Sequence, residues 1–193
     1  MGRREGRTSR RPRATRPLAT RILIVCGGLR TEKQYFEGLR RAERNAAVKI
    51  EVKAYPKSPT EVVRHAVKLR KLDRDDFDEV WCVLDVDEFR DIEQAAAIAK
   101  RNGVRVAVSN PCFELWLLLH HADHTSHIST AEVLKLLCKH LPAYDKTELD
   151  FRHFADGVPH ACGRAERLDP SGASHTRNPT TGVWPLTHKI RRP

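Results

Sequence analysis

What most constrains the fold of this chain is the order in which its apolar patterns change period. Arg21-Ile22-Leu23-Ile24-Val25-Cys26 is a continuous apolar run, the pattern of a strand covered on both faces. A helix-period segment follows from Thr31 to about Asn45, with Tyr35, Phe36 and Leu39 facing inward. Val48-Lys49-Ile50-Glu51-Val52-Lys53-Ala54 alternates strictly, as a second strand does. Next come a helix opening at Ser58-Pro59-Thr60, a third strand from Glu79, a helix from about Asp91 ending at Gly103, and a fourth strand over Val104–Val108. Strands alternating with helices in this order predict an α/β fold with a mostly parallel four-stranded sheet flanked by helices. From Pro111 onward the pattern is helical, over 111–121, 129–140, about 146–156 and 160–168. The expected organisation is therefore a disordered basic tail (1–20), an α/β domain (21–125) and a helical C-terminal extension (126–193).

Local signals set the joints of this plan. Gly27-Gly28-Leu29-Arg30 makes a turn, and Thr31-Glu32-Lys33-Gln34 has the spacing of a capping box, as does Ser129–Glu132. Gly103 is a natural residue just past a helix end. Pro111 suits a first helical turn, which makes Asn110 the expected N-cap.

Charge is unevenly spread. The formal net charge is +10, and Met1 to Arg16 holds seven arginines and one glutamate, which accounts for +6 and leaves +4 for the remainder. Such an arginine-rich arm suits phosphate contacts; a solvated tail has the same composition. Five cysteines without a CxxC spacing read as buried thiols of a reducing compartment, not as a disulfide framework or zinc ribbon. No apolar run is long enough to span a membrane, and the basic N-terminus precedes no apolar core of a secretory signal, so the expected location is cytoplasmic.

The chemistry concentrates at strand ends. In Glu79–Phe89 a buried strand runs into Asp85-Val86-Asp87-Glu88. Side chains alternate along a strand, so Asp85 and Asp87 share a face at the carboxyl end, where open α/β sheets place their ligands. Two hard oxygen ligands there suit Mg²⁺ or Mn²⁺; an acidic turn after a strand reads the same way. The Gly27-Gly28 turn offers backbone N–H groups to a phosphate with Arg30 beside it, and Glu32 follows in the first helical turn. Glu114, inside a largely apolar helix, needs a metal or a salt-bridge partner. His120, His121, His124 and His127 lack an HExxH spacing and fit helix-end polarity better than zinc. Lys146, Arg152, His153, Arg164 and Arg167 are basic groups that suit either a nucleic-acid channel or solvated faces.

Five stretches carry a resemblance: ILIVCGGLRTEKQYFEGL (22–39), VWCVLDVDEF (80–89), SNPCFELWLLLHH (109–121), YDKTE (144–148) and NPTTGVWPL (178–186). Together they resemble the RloB-like family, which includes the AbiL-type abortive-infection component, and the third stretch is the most specific. The resemblance implies a Toprim-like domain, in which a glutamate after the first strand and a DxD motif hold Mg²⁺ or Mn²⁺ for phosphodiester cleavage. It implies an antiphage effector encoded beside an AAA- or ABC-type ATPase, acting on RNA (transfer RNA included) more than DNA, with a homo-oligomer open to it. On this reading Asp85, Asp87 and Glu32 are the metal ligands, and Glu114 and Lys146 join them as catalytic residues. Arg30, Asn110, Lys146 and Arg164 are the nucleic-acid contacts. One departure is chemical: Gly27 stands where the family pattern has glutamate, and glycine neither ligates a metal nor moves a proton. Either the site is rebuilt from the remaining acids, or the chain is a non-catalytic nucleic-acid- or ATPase-binding subunit.

Overall fold

A computed structural model describes residues 19–72, 76–86 and 91–191. The expected tail lies outside the described residues as far as residue 18, and Thr20 already opens the first strand. Asp87 and Glu88 also lie outside them.

The sheet is built from β1 (Thr20–Cys26), β2 (Val48–Ala54), β3 (Glu79–Asp85), β4 (Arg105–Asn110) and β5 (Thr180–Thr181), in the order β2-β1-β3-β4-β5. The first four are parallel, as their alternation with helices requires; β5 is antiparallel to β4, pairing Ser109 with Thr181 and Asn110 with Thr180. β1 and β3 lie side by side in the interior, which is why both read as near-continuous apolar runs. β2 is an edge strand, and its Lys49, Glu51 and Lys53 account for its strict alternation.

The period of two sorts the core into two layers. Leu23, Val25, Val80, Cys82 and Leu84 pack with α2 (Pro59–Leu72) and α3 (Ile92–Arg101) on one face. Ile22, Ile24, Cys26, Trp81 and Val83 face the other way, onto a larger cluster that draws in α1 (Thr31–Glu43), α4 (Phe113–His121), α6 (Val158–Leu168) and α7 (Val183–Ile190). Every residue of α4 from Phe113 to His120 is buried, as a helix apolar on all sides must be. Tyr35 of α1 is the aromatic hub of this layer, with six rings around it at centroid distances from 5.2 to 6.5 Å. Gly38 lets Phe151 lie directly on α1, where a β-carbon would meet its ring.

Four local expectations are corrected. The Thr31–Gln34 capping box does not form; Arg30 is the N-cap residue, and the Thr31 hydroxyl donates to the Lys146 carbonyl instead. Ser129–Glu132, by contrast, closes a full capping box on α5 (Thr130–His140). Asn110 is not an N-cap: it ends β4, its amide donates to the His175 carbonyl, and Cys112 precedes α4. The segment expected as a helix over 146–156 holds only 3₁₀ turns, Phe151–His153 and Ala155–Gly157, because its polar groups are engaged with α1 and in local turns. Finally, β5 and α7 arise from a stretch whose turn-rich composition announced neither, and β5 adds a fifth strand to the four expected. The carbonyl of Val108 accepts the Gly182 N–H at 2.8 Å, which fastens this end of the chain to the sheet.

Candidate active site

Sheet register assembles the site. The Gly27 N–H donates to the Val83 carbonyl at 2.9 Å, so the turn after β1 sits against the end of β3, where Asp85 pairs in register with Ser109 of β4. One short connection after β4, α4 begins and presents Glu114 in its first turn. The carboxyl ends of three parallel strands therefore share a cavity of about 450 Å³ lined by Gly28–Glu32, Asp85, Cys112–Glu114, Lys146 and Thr147. A smaller recess of about 160 Å³ continues from Glu32 and Asp85 to Gly27, Pro59 and Lys57.

Glu32 is only 4% exposed, and its carboxylate folds back over Gly28, occupying the space a β-carbon there would need. The backbone N–H groups of Glu32 and Gly28 favour its charged form. The turn expected to bind phosphate through its amides thus has a carboxylate folded over it. Burial, with the negative charge of Glu114, nevertheless holds the Glu32 carboxyl above the usual carboxylate range.

Glu114 is 5% exposed and offsets its burial with partners: Lys146 Nζ lies 3.1 Å from Oε1, and the Tyr144 hydroxyl donates to the same oxygen at 3.3 Å. Burial alone would lower the Lys146 ammonium; the Glu114 carboxylate outweighs it and holds it above the ordinary lysine range. Burial, then Glu114, also pushes the Tyr144 phenol up. Lys146 owes its position to α1: besides the Thr31 bond, the Gln34 amide donates to the Thr147 carbonyl at 3.1 Å and accepts the Leu149 N–H at 2.8 Å.

The surroundings are electronegative. Burial raises the Cys26 thiol, with Glu32 next and Cys82 and Asp85 adding to it. The Cys112 thiol is raised by burial, then by Glu114 and Asp85. Both stay protonated and neither is a nucleophile. All five cysteines are free, and only Cys138 is exposed.

Of the residues singled out from the sequence, Arg30, Glu32, Asp85, Glu114 and Lys146 meet at this cavity, and Asp87 lies outside the described residues. Asn110 and Arg164 do not line it; Arg164 donates instead to the Leu119 carbonyl near the end of α4. Arg152 pairs with Asp150, and Arg167 with Asp123. His120 joins the core, with its ring nitrogens 3.1 Å from the Tyr35 hydroxyl and 2.9 Å from the Trp116 carbonyl, while His121 stacks on His140. Sequence reasoning missed Lys57 and Tyr144. The first stands just past β2, and the second opens the YDKTE stretch two residues before Lys146; both positions were readable as neighbours of strand ends and of a singled-out lysine.

The donor set suits a hard divalent cation: oxygen ligands from acidic side chains, with Glu32 and Asp85 lining both the cavity and the recess beside it. Among the described residues no three His, Cys, Asp or Glu side chains close on one point. That is compatible with Mg²⁺, which is commonly held by one or two carboxylates plus waters and substrate phosphate oxygens. Gly27 leaves room beside these acids: a β-carbon there would rest 3.5 Å from the Val83 carbonyl oxygen, an ordinary contact.

Among the described residues no helix is long and apolar enough to cross a membrane. A family model described as RloB-like protein matches residues 22–190. No curated protein and no solved structure matches the chain.

Proposed function

The chain belongs to the RloB-like family, and we propose that it is a metal-dependent, Toprim-like nuclease serving as the effector of an antiphage, abortive-infection system. The observation that carries this reading is the meeting of Glu32, Asp85, Glu114 and Lys146, from separate parts of the chain, at the carboxyl rim of a parallel sheet. That rim is where such sheets bind ligands, and acids beside a cation suit a phosphodiester.

Asp85 and Glu32, with Asp87, are the residues that would hold Mg²⁺ or Mn²⁺. The ion, when bound, would neutralise charge at the scissile phosphate. Glu32 lines both the main cavity and the adjoining recess beside Asp85, the place of a catalytic carboxylate. Glu114 fixes the Lys146 ammonium at the cavity wall, where it would serve a non-bridging phosphate oxygen. Arg30, at the cavity mouth, offers a second cation to the flanking backbone. RNA is favoured over DNA as substrate, and an AAA- or ABC-type ATPase is the expected partner.

The test is Mn²⁺ binding by calorimetry together with RNA and DNA cleavage, on the native protein and on Asp85→Ala and Asp87→Ala. Each variant is expected to lose cleavage by about 100-fold or more with an unchanged melting profile. Undiminished cleavage by both variants sinks the proposal.

Gly27 favours a second reading, a non-catalytic nucleic-acid- or ATPase-binding subunit, because the carboxylate of the family pattern is missing. Gly27→Glu separates the two, since the β-carbon has space. Cleavage that appears only in the variant assigns the native chain to the second reading.

A further inference from the structure

Beside the acidic cavity lies an aromatic pair that the reading above does not use. Tyr55 follows β2 directly, and its N–H donates to the Cys26 carbonyl at 2.8 Å, so it stands at the same carboxyl rim as the Gly27-Gly28 turn. Its ring stacks on the His65 imidazole of α2 with centroids 4.1 Å apart and planes 8° from parallel. Tyr55 rests against the apolar layer beneath α2, and His65 is partly exposed. Cations stand on the same two elements. Lys57, two residues beyond Tyr55, lines the recess shared with Glu32 and Asp85, and Arg64 and Lys68 are exposed on α2 near His65. Among the described residues no carboxylate pairs with Lys57, Arg64 or Lys68, whereas Lys53 is held by Glu51 at 3.0 Å. Burial, then the charges of Lys53 and Lys68, hold the His65 imidazole below its ordinary range.

A flat aromatic surface with lysines beside it is a combination that binds single-stranded nucleic acid. Any unpaired base offers a face to stack, and the phosphates on either side need cations. In a duplex both faces of each base are already covered by neighbours. The geometry points to Tyr55 and His65 as a nucleobase platform for single-stranded RNA or DNA, with Lys57 and Lys68 on the adjoining phosphates and the strand continuing into the acidic cavity. This rests on the reading of that cavity as a phosphodiester site and adds to it a substrate class: a strand with at least one unpaired base beside the bond to be cut.

The experiment is fluorescence anisotropy with a labelled single-stranded oligonucleotide, its duplex, and an abasic strand of equal length. It uses the full-length chain in chelator, so that binding is read without cleavage. His65→Ala should weaken single-strand binding roughly ten-fold and leave abasic-strand binding unchanged, whereas Tyr55→Phe should bind as the native protein does. Lys57→Ala with Lys68→Ala should weaken all three probes and lower the salt slope by about 0.7 for each single-strand phosphate no longer neutralised. A thermal melt of each variant separates weakened binding from a disturbed fold. If the native chain binds single strands but His65→Ala changes nothing, or changes abasic binding equally, the platform is wrong and the cavity reading stands. If the platform behaves as expected while Asp85→Ala and Asp87→Ala both leave cleavage undiminished, the reading of the acidic cavity falls and the binding site remains. Absence of nucleic-acid binding by the native chain overturns both.

Discussion

Gly28 and Glu32 show how one missing side chain shapes a site. The Glu32 carboxylate lies where a β-carbon of Gly28 would be, and the Gly28 N–H favours its charged form. Gly28 does not have a positive φ, so alanine there strains no backbone. The conflict is confined to the end of a flexible glutamate. Gly28→Ala is therefore expected to push that carboxylate out of the cavity and cut metal-dependent cleavage by about ten-fold or more. Its melting temperature should stay within a few degrees, because the entropic gain of Gly→Ala, about 0.4–1 kcal/mol, offsets the local rearrangement. Paired denaturation and cleavage assays check this. A variant with full activity would show that Glu32 need not occupy its observed position. The adjoining Gly27 is a different case: it has room for a β-carbon, and what it lacks is chemistry.

At the scale of elements, α1 exchanges its own N-terminal capping for a tie to a distant segment. Thr31 and Gln34, whose spacing reads as a capping box, bond to Lys146, Thr147 and Leu149 across more than 110 residues of sequence. Those bonds are what keep Lys146 against Glu114. Gln34→Ala removes two hydrogen bonds and is expected to cost about 1–3 kcal/mol while leaving α1 helical. Hydrogen exchange should quicken at residues 146–149 before it does in α1 itself, and cleavage should fall through a misplaced ammonium. Exchange rates unchanged over 146–149 would mean that the Glu114–Lys146 pair alone holds the segment. Gly38 plays a comparable part further along α1, giving Phe151 of the same C-terminal region a bare helix surface to pack on.

For the molecule as a whole, two buried groups pull the pH dependence of stability in opposite directions. Burial lowers the His120 imidazole to about 3 from an ordinary value of 6.5. Between those values the unfolded chain binds a proton that the folded chain refuses, so this contribution is present above the ordinary value and is lost on acidification, at up to about 1.4 kcal/mol per pH unit. Glu32 has the opposite sign. Its carboxyl is raised, so its contribution is present below the ordinary carboxylate range and is lost as pH rises through the raised value. His120→Gln should flatten the loss of stability between about pH 6 and pH 4. Glu32→Gln should stabilise the chain near neutral pH and matter little near about pH 4. Urea denaturation across this range reads both, and an unchanged acid slope in His120→Gln would move the acid-sensitive group elsewhere.

The same scale separates what the sequence by itself determined from what tertiary structure decided. Period and polarity were sufficient for the four parallel strands, for helices α1 to α4, and for the capping box of α5, because each depends on which face of a local element is apolar or on groups three residues apart. Glu32, Asp85 and Glu114 were legible too, since each is a carboxylate at a strand end or inside an apolar helix. What local pattern could not reach was the pairing of partners far apart in sequence. Thr180 and Thr181 become a strand only because β4 offers them an unpaired edge. Thr31 abandons its cap because the Lys146 carbonyl lies within reach, and Lys146 meets Glu114 only because the chain folds them together. A hydrogen bond or ion pair carries no sequence period, so the choice among competing partners is made by the packing that brings one of them close.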